Sequence, residues 1–518
     1  MQFTQGLHRA VQQQPDNIAT ICDGRTHTFR QLENRVSRLA AGLLSQGFKR
    51  GDRIAILSLN SDRYLEAYLA IAWIGAVVNP VNFRWSPAEI AFSLRDSAST
   101  GIIVDDHFAE AVVQVKAETP SLETIFYAGD KPEINHFVST ESLIANNAPV
   151  EDVAACGDEL LGIFYTGGTT GVSKGVMLTH DSICASASAL MAEGLFQKGS
   201  KGLHAAPMFH LADMMMSTGM VIRGGQHIFL SAFNPETVLA LVEELAISDL
   251  LLVPAMMQAV VDHPKCQTTN TSSVKNLMYG ASPISEALLG RAMEALPTAA
   301  FTQVYGMTET SAVMTILGHE DHLPENRHLG RLRSAGQAGT HIQLKIADEQ
   351  DNELPRNTVG QILSRGPSLM KGYINREEAS REALEGGWMH TGDMGYMDDS
   401  GYVFVVDRCK DMIISGGENI YSVEVENAVM QHNAVAMCAV IGIPCDDMGE
   451  RVHAAVVLKP GAELEFEVLR EHCKQLIAGY KCPKSMTVLD ALPMSGAGKI
   501  LKTELRKPFW EQKDRGIS

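Results

Sequence analysis

Residues 166–175, Thr-Gly-Gly-Thr-Thr-Gly-Val-Ser-Lys-Gly, place four hydroxyls, one ammonium and a run of unshielded backbone N–H groups within ten positions. Glycine lets the main chain approach phosphate oxygens closely, and the hydroxyls and lysine add donors, so the loop is equipped to hold a polyphosphate. Two familiar glycine motifs do not fit it. A Walker A loop has glycine directly before its lysine and Ser/Thr directly after, whereas Ser173 precedes Lys174 and Gly175 follows it. A dinucleotide fingerprint opens a helix, whereas this loop runs into Val176-Met177-Leu178, an apolar triplet that reads as strand. Gly171-Val172-Ser173-Lys174-Gly175 does match G-x-S-x-G, the elbow that presents a nucleophilic serine in α/β-hydrolases. An esterase using Ser173 is therefore a distant alternative, distant because the elbow needs a helix directly behind the serine.

Four further segments share the chain with this loop. They are Tyr305-Gly306-Met307-Thr308-Glu309; Gly387-Trp388-Met389-His390-Thr391-Gly392-Asp393; Asp407-Arg408-Cys409-Lys410-Asp411 with Gly416-Gly417-Glu418-Asn419; and Pro493-Met494-Ser495-Gly496-Ala497-Gly498-Lys499-Ile500. In this order and at these separations they resemble the adenylate-forming superfamily of acyl-CoA synthetases, firefly-type luciferases and peptide-synthetase adenylation domains. The resemblance runs from about residue 10 to about residue 510.

It implies an ATP-dependent, AMP-forming acid:CoA ligase. A carboxylate is a poor electrophile, so it is first converted into a mixed anhydride with AMP, expelling pyrophosphate, and a thiol then attacks the anhydride. CoA is the expected acceptor, and a carrier-protein pantetheine is the alternative. The resemblance also implies an architecture: a large N-terminal domain over residues 1–407, a hinge over 408–411, and a smaller mobile C-terminal domain over 412–518.

The same resemblance distributes roles. Thr166, Gly167, Gly168, Thr169, Thr170, Gly171 and Lys174 would hold the β- and γ-phosphates of ATP. Thr308 would bond the α-phosphate, and Glu309 would ligate Mg²⁺, a hard cation that prefers carboxylate and phosphate oxygen. Tyr305 would stack on adenine beside a turn made by Gly280, Ala281 and Ser282. Asp393 would accept hydrogen bonds from the ribose hydroxyls, with Arg408 nearby. Lys499 is the expected catalytic lysine, a cation aimed at charge developing between the carboxylate and the α-phosphate. For the second step, rotation about Lys410 would withdraw Lys499 and bring Gly416, Gly417 and Glu418 against the pantetheine. Each residue also has a plain structural reading: a flexible turn for the loop, a helix start for Thr308-Glu309, a core tyrosine, a solvated lysine.

His210 matches the position guarding the carboxylate pocket and is carried as a gate or orienting residue. Leu211, Asp213, Met214, Met215, Tyr279 and Gly306 are the expected acyl-pocket lining. Acetate- and propionate-activating relatives have tryptophan where this chain has Gly306. The mainly apolar set, with adaptable methionines, favours a medium or long fatty acid, or an aryl or arylalkyl acid.

The elements that must position these residues are partly readable. A chain of 518 residues exceeds one compact core. Thr28 and Gln31 make a capping box, and Leu32, Val36, Leu39 and Leu43 follow at helical spacing until Gly47. Ile54–Leu57 reads as a buried strand, and helix and strand then alternate to about residue 330, as at 238–245 and 250–253. That alternation is the pattern of an α/β body with largely parallel sheets. From about residue 340 short strands dominate (360–363, 401–405), a small β-rich subdomain. Beyond Arg408 a smaller α+β unit is expected, with strands near 436–441 and 454–458 and helices near 423–430 and 466–477.

Composition sets the partners. Apolar content of 45% and a charged fraction of 20% are those of a globular protein. The longest apolar stretch, 68–78, is too short to span a bilayer. A net charge of −18 disfavours nucleic acid and anionic lipid surfaces as partners. Nine cysteines without paired spacing argue against a disulfide framework or a zinc site. With no cationic apolar leader and no C-terminal Ser-Lys-Leu, the cytoplasm is the expected compartment. The partners are then a small carboxylic acid, ATP and CoA, and a homodimer is left open.

Overall fold

The computed structural model describes residues 1–131, 137–166, 173–282, 284–408, 410–416, 418–445, 447–494 and 500–510. Two compact units divide the chain. The first gathers Met1–Thr166, Ser173–Leu344 and Ser364–Met389, and the second Lys345–Leu363 and His390–Ser518. Compactness thus groups the small β-rich region with the C-terminal module, whereas the expected joint lay at 408–411.

Among the described residues the first unit contains a nine-stranded and an eight-stranded sheet. In the larger, the strands Ile18–Cys22, Gln226–Phe229, Lys201–His204, Asp249–Leu251, Asn276–Gly280 and Ala300–Tyr305 lie side by side and parallel. In the other, Thr124–Tyr127, Gly101–Val104, Arg53–Leu57, Val77–Pro80 and Leu160–Thr166 are parallel neighbours. That sheet then closes with the antiparallel strands Lys174–Thr179 and Gly372–Tyr373. Gly101–Val104 is buried at every residue, which is why Gly-Ile-Ile-Val reads as a continuous apolar run and not as an alternating one.

The helix Asp62–Trp73 touches strands of both sheets. Sandwiched in this way, it is buried on nearly all sides, and even its carboxylates Asp62 and Glu66 are buried, paired with Arg25 and Arg35. It supplies the first half of the long apolar stretch at 68–78; the strand Val77–Pro80 supplies the end. The helix Phe29–Ser45 opens on the expected box: Gln31 N donates to Thr28 Oγ1 at 3.3 Å, and Thr28 N donates to Gln31 Oε1 at 2.8 Å. Among the described residues no helix is long and apolar enough to cross a membrane.

The second unit carries a four-stranded sheet in the order Gln343–Ala347, Gly360–Arg365, Met389–Met397, Val403–Arg408. A further sheet orders Glu418–Ile420, Ile413–Ser415, Gly449–Leu458 and Val435–Cys445, with Ser485–Val488 parallel to Gly449–Leu458. Helices Ser422–Met430 and Phe466–Lys474 pack Val425, Val429, Leu469 and Cys473 into one core with that sheet. The expected α+β module is present, with its two long strands extended beyond the expected ends.

Candidate active site

Strands Leu160–Thr166 and Lys174–Thr179 form an antiparallel hairpin in which Thr166 faces Lys174 at the mouth. Gly167, Gly168, Thr169, Thr170 and Gly171 lie outside the described residues. Ser173 leads directly into a strand, and the next helix begins only at His180. A nucleophile elbow needs the helix immediately after the serine, so the esterase alternative loses its structural basis.

The hairpin is connected to the metal-ligand candidate through a tyrosine. Lys174 Nζ sits 4.8 Å from the centroid of the Tyr373 ring, within cation–π range. The Tyr373 hydroxyl donates to Glu309 Oε1 at 2.8 Å. Burial, reinforced by this carboxylate, pushes the Tyr373 phenol far above its ordinary range and keeps it a proton donor. Glu309 itself is buried. It sits in the single turn Thr308–Thr310, after which Ser311 and Ala312 take positive φ of 52° and 72°. That turn is clamped: Ser186 Oγ donates to Ser311 O at 2.6 Å, Ser311 Oγ to Ser368 O at 2.8 Å, and Met370 N to Glu309 O at 2.8 Å.

The same turn explains Gly306. A Cβ at this position would lie 2.2 Å from Ala312 O, because the left-handed pair brings the chain back over it. Glycine is therefore demanded by the backbone of the turn, independently of the width of any acyl pocket, and Gly306 does not by itself report chain length. Gly280 and Tyr305 end adjacent parallel strands, with Gly280 in register with Val304. They stand at the carboxyl edge of the sheet, where open α/β sheets bind ligands. Ala281 follows at φ 65° and is exposed, while Ser282 and Tyr305 are half-buried.

The expected acyl set separates on opposite faces of the strand Asn276–Gly280. Leu211, Met214 and Met215 share one apolar cluster with Met208 and Met278, whereas Tyr279 belongs to another cluster and bonds His322 Nε2 through its hydroxyl at 2.8 Å. Strand side chains alternate, so Met278 faces the methionine cluster and Tyr279 faces away from it. The placement of Tyr279 in the pocket is corrected on that ground. Asp213 is also corrected. Its carboxylate meets His204 Nδ1 at 2.9 Å and accepts from Ser217 Oγ at 3.2 Å, and His204 Nε2 lies 2.9 Å from His227 Nδ1. With 0% exposure at Asp213 and His204, this is a core relay and offers no charge to a substrate. Burial, then proximity to His204, holds the His227 imidazole well below its ordinary range.

His210 stands at the N-cap position of the helix Leu211–Arg223 and lies half-buried against Phe209, ring centroids 4.1 Å apart. The loop before it is held by Asn60, which donates to His204 O and Ala206 O at 3.1 and 2.8 Å and accepts from Met208 N at 2.8 Å. Asn60, Tyr373 and Met278 escaped the sequence reading. Their partners are distant in the chain, so no local motif could have marked them.

In the second unit, Asp393 and Arg408 pair across neighbouring strands, Arg408 Nε 3.2 Å from Asp393 Oδ1. Lys410 is exposed in the turn that follows. The residues on either side of it are anchored. Asp407 accepts from the backbone N–H and hydroxyl of Ser422, and Arg506 donates to Asp411 at 2.8 Å. Lys502 in turn pairs with Glu426 at 2.7 Å and donates to Ser422 Oγ at 2.5 Å. Gly416 adopts φ 61° beside Met448, whose Cε would lie 2.5 Å from an added Cβ. Glu418 is exposed; Gly417 and Lys499 lie outside the described residues. Met494 and Ile500, on either side of residues 495–499, form an isolated antiparallel bridge.

The chain matches the AMP-binding enzyme family over residues 7–374 and its C-terminal domain over residues 424–499. It belongs to the AMP-binding enzymes. Within that adenylate-forming superfamily it falls in the acyl-CoA synthetase family of ligases. This AMP-binding enzyme is 36% identical to a feruloyl-CoA synthase from Amycolatopsis over 97% of its own length and 98% of that protein's. It is 34% identical to a fatty acid–[acyl-carrier-protein] ligase from Streptomyces coeruleorubidus, over 98% and 96% of the two chains. The solved o-succinylbenzoate CoA synthetase from Bacillus subtilis, in complex with its acyl-adenylate intermediate, superposes with a TM-score of 0.85 at 30% identity, over 96% and 97% of the chains. The same synthetase has been solved with ATP and magnesium ion.

Proposed function

We propose that this AMP-binding enzyme is an acid:CoA ligase that activates an apolar carboxylic acid, a medium or long fatty acid or an aryl or arylalkyl acid, as its acyl-AMP. The observation that carries the reading is the buried Glu309 carboxylate, joined through Tyr373 to the lysine of the phosphate hairpin. A buried carboxylate beside a phosphate loop is what a metal-bound triphosphate requires. Among the described residues no three His, Cys, Asp or Glu side chains converge to hold a metal ion. One protein carboxylate completed by phosphate oxygens and water is the way Mg²⁺ is commonly bound in nucleotide sites, so the donor set fits. Held by Glu309 in this way, Mg²⁺ would supply neutralisation of the charge on the departing pyrophosphate.

The protein groups then divide the work. Thr166, Lys174 and the loop 167–171 bind the phosphates, Thr308 the α-phosphate, and Tyr305 with Gly280, Ala281 and Ser282 the adenine. Asp393 and Arg408 take the ribose. The acid carboxylate attacks the α-phosphorus, pyrophosphate leaves, and Lys499 stabilises the charge on the oxygens between them. Rotation about Lys410 then exchanges Lys499 for Gly416, Gly417 and Glu418, and the CoA thiol attacks the acyl carbon with AMP as leaving group. The apolar acid class is supported by the similarity to a feruloyl-CoA synthase and a fatty acid–[acyl-carrier-protein] ligase. Met208, Leu211, Met214, Met215 and Met278 form a closed apolar cluster in which each is 6% exposed or less, so they would admit an acyl chain only by repacking, which methionine tolerates.

A second acceptor has a specific observation behind it: the similarity to a ligase that loads an acyl-carrier protein is nearly as strong as that to a CoA ligase. Purified enzyme given ATP, Mg²⁺ and a panel of fatty and aryl acids, with either CoA or a pantetheinylated carrier protein, decides both questions by mass spectrometry. CoA thioesters of apolar acids are expected. Products on the carrier alone would move the acceptor, and products with acetate alone would refute the acid class.

A further inference from the structure

We infer that Tyr373 is a positioning residue with two separable tasks: its hydroxyl orients the Glu309 carboxylate for a divalent cation, and its ring seats Lys174 for the phosphates. The inference rests on the adenylating reading above and assigns a role to a residue outside every motif that suggested that reading.

The segment around Tyr373 is the physical link between the hairpin and the metal turn. On one side, Gly372 and Tyr373 pair with Met177 and Val176 of the hairpin. Lys371 N donates to Met177 O at 2.9 Å, and Ile374 N to Gly175 O at 2.8 Å. On the other side, Met370 N and Ser368 O hold Glu309 O and Ser311 Oγ, both at 2.8 Å. Seven consecutive residues, 368–374, thus tie the hairpin to the Glu309 turn through their main chain, with one bond received from the Ser311 hydroxyl. Tyr373 adds the side-chain half: one ring face to Lys174, one hydroxyl to Glu309 Oε1. Its own N–H is held by Ser380 Oγ at 2.8 Å, so the ring starts from a fixed stem. Carboxylates that bind metals are generally held by such hydrogen bonds, and losing one costs about 10–100-fold in metal affinity or activity. Ring centre and hydroxyl oxygen both lie on the Cβ–Cγ–Cζ axis of Tyr373, so one χ1 setting places them both and the two tasks share one rotamer.

Tyr373→Phe keeps the ring and removes only the hydroxyl, which makes the tasks distinguishable. The probe is Mn²⁺, read by electron paramagnetic resonance on enzyme saturated with α,β-methylene-ATP, alongside calorimetric binding of that nucleotide in EDTA. Tyr373→Phe should weaken Mn²⁺ binding about 10–100-fold and leave metal-free nucleotide affinity at the wild-type value. Lys174→Met should do the opposite, and it needs no change at Tyr373, so the split stays testable if the phenylalanine variant folds poorly. In a Glu309→Gln background, Tyr373→Phe should have no further effect on Mn²⁺. Unchanged Mn²⁺ affinity in Tyr373→Phe would overturn the inference while adenylation by the wild type stood. Equal loss of metal-free nucleotide binding would also overturn it, reducing Tyr373 to a packing residue. A wild-type enzyme that bound no nucleotide with metal would instead remove the adenylating reading, and the inference with it.

Discussion

The corner of the first unit proposed to hold metal and phosphates and the region of the second proposed to hold ribose and hinge keep their residues in place by different means. Around Glu309 every clamping bond has a main-chain group on at least one side, Met370 N to Glu309 O and the hydroxyls of Ser186 and Ser311 to the carbonyls of Ser311 and Ser368, and the turn's glycine is dictated by Ala312 O. Around Lys410 the chain is held by side chains: Asp393 with Arg408, Asp407 with Ser422, Asp411 with Arg506. Backbone clamps do not rearrange without local unfolding, whereas side-chain pairs exchange partners at small cost. A triphosphate needs one fixed geometry, and a two-step ligase needs a joint that adopts two.

Substitutions can break this contrast. The largest expected effect belongs to Lys499→Ala, which should slow acyl-adenylate formation by at least about 10²–10³-fold while leaving thioester formation from supplied acyl-adenylate near wild type. Equal loss in both half-reactions would assign Lys499 to neither task in particular. Gly306→Ala is next. With Ala312 O so close, the turn must shift, costing about 1–3 kcal/mol of stability and weakening ATP binding together. Thermal unfolding and nucleotide titration would measure both, and a fall in one alone would loosen the link between clamp and site.

Arg408→Ala sharpens the other side. Its side chain is 44% exposed, so breaking the pair with Asp393 should change stability by less than about 1 kcal/mol, yet raise the KM for ATP. A large drop in unfolding midpoint would make the second region as rigid as the first.

The smallest effect concerns an ion pair inside the clamped unit but away from its site. Hydrogen bonds to Asp152 and then Glu33 raise the His8 imidazole to about 9. A raised folded value means the stabilisation is complete below pH 6.5 and is lost as pH rises through about 9. With the His8 side chain 28% exposed, the pairing contributes on the order of 1 kcal/mol. The unfolding midpoint should therefore fall over that range more in wild type than in His8→Gln, with neither half-reaction altered.

Legibility in the sequence followed the range of the interaction. The capping box at Thr28, the strand Arg53–Leu57 and the helices Ser422–Met430 and Phe466–Lys474 were readable because caps and periodicity are local. The hairpin strand after Lys174 was readable for the same reason, and it removed the esterase reading once seen. Three things were not readable. Tyr279 was assigned to the pocket because strand parity cannot be set without knowing which face meets the helix Leu211–Arg223. Asp213 was assigned there because its partner, His204, lies on the preceding strand and only the fold brings the two together. Tyr373 was overlooked because it acts through Glu309, 64 positions away, and nothing in Lys371-Gly372-Tyr373 announces that partner.

The central claim is that the clamped corner converts a carboxylic acid and ATP into an acyl-adenylate before any thiol is needed. Acid-dependent exchange of labelled pyrophosphate into ATP, measured with Mg²⁺ and without CoA, tests it most directly. Exchange with at least one apolar acid, abolished by chelation of Mg²⁺, is the expected result. ATP that took up no label with any fatty or aryl acid, under conditions where the enzyme still bound nucleotide, would contradict it.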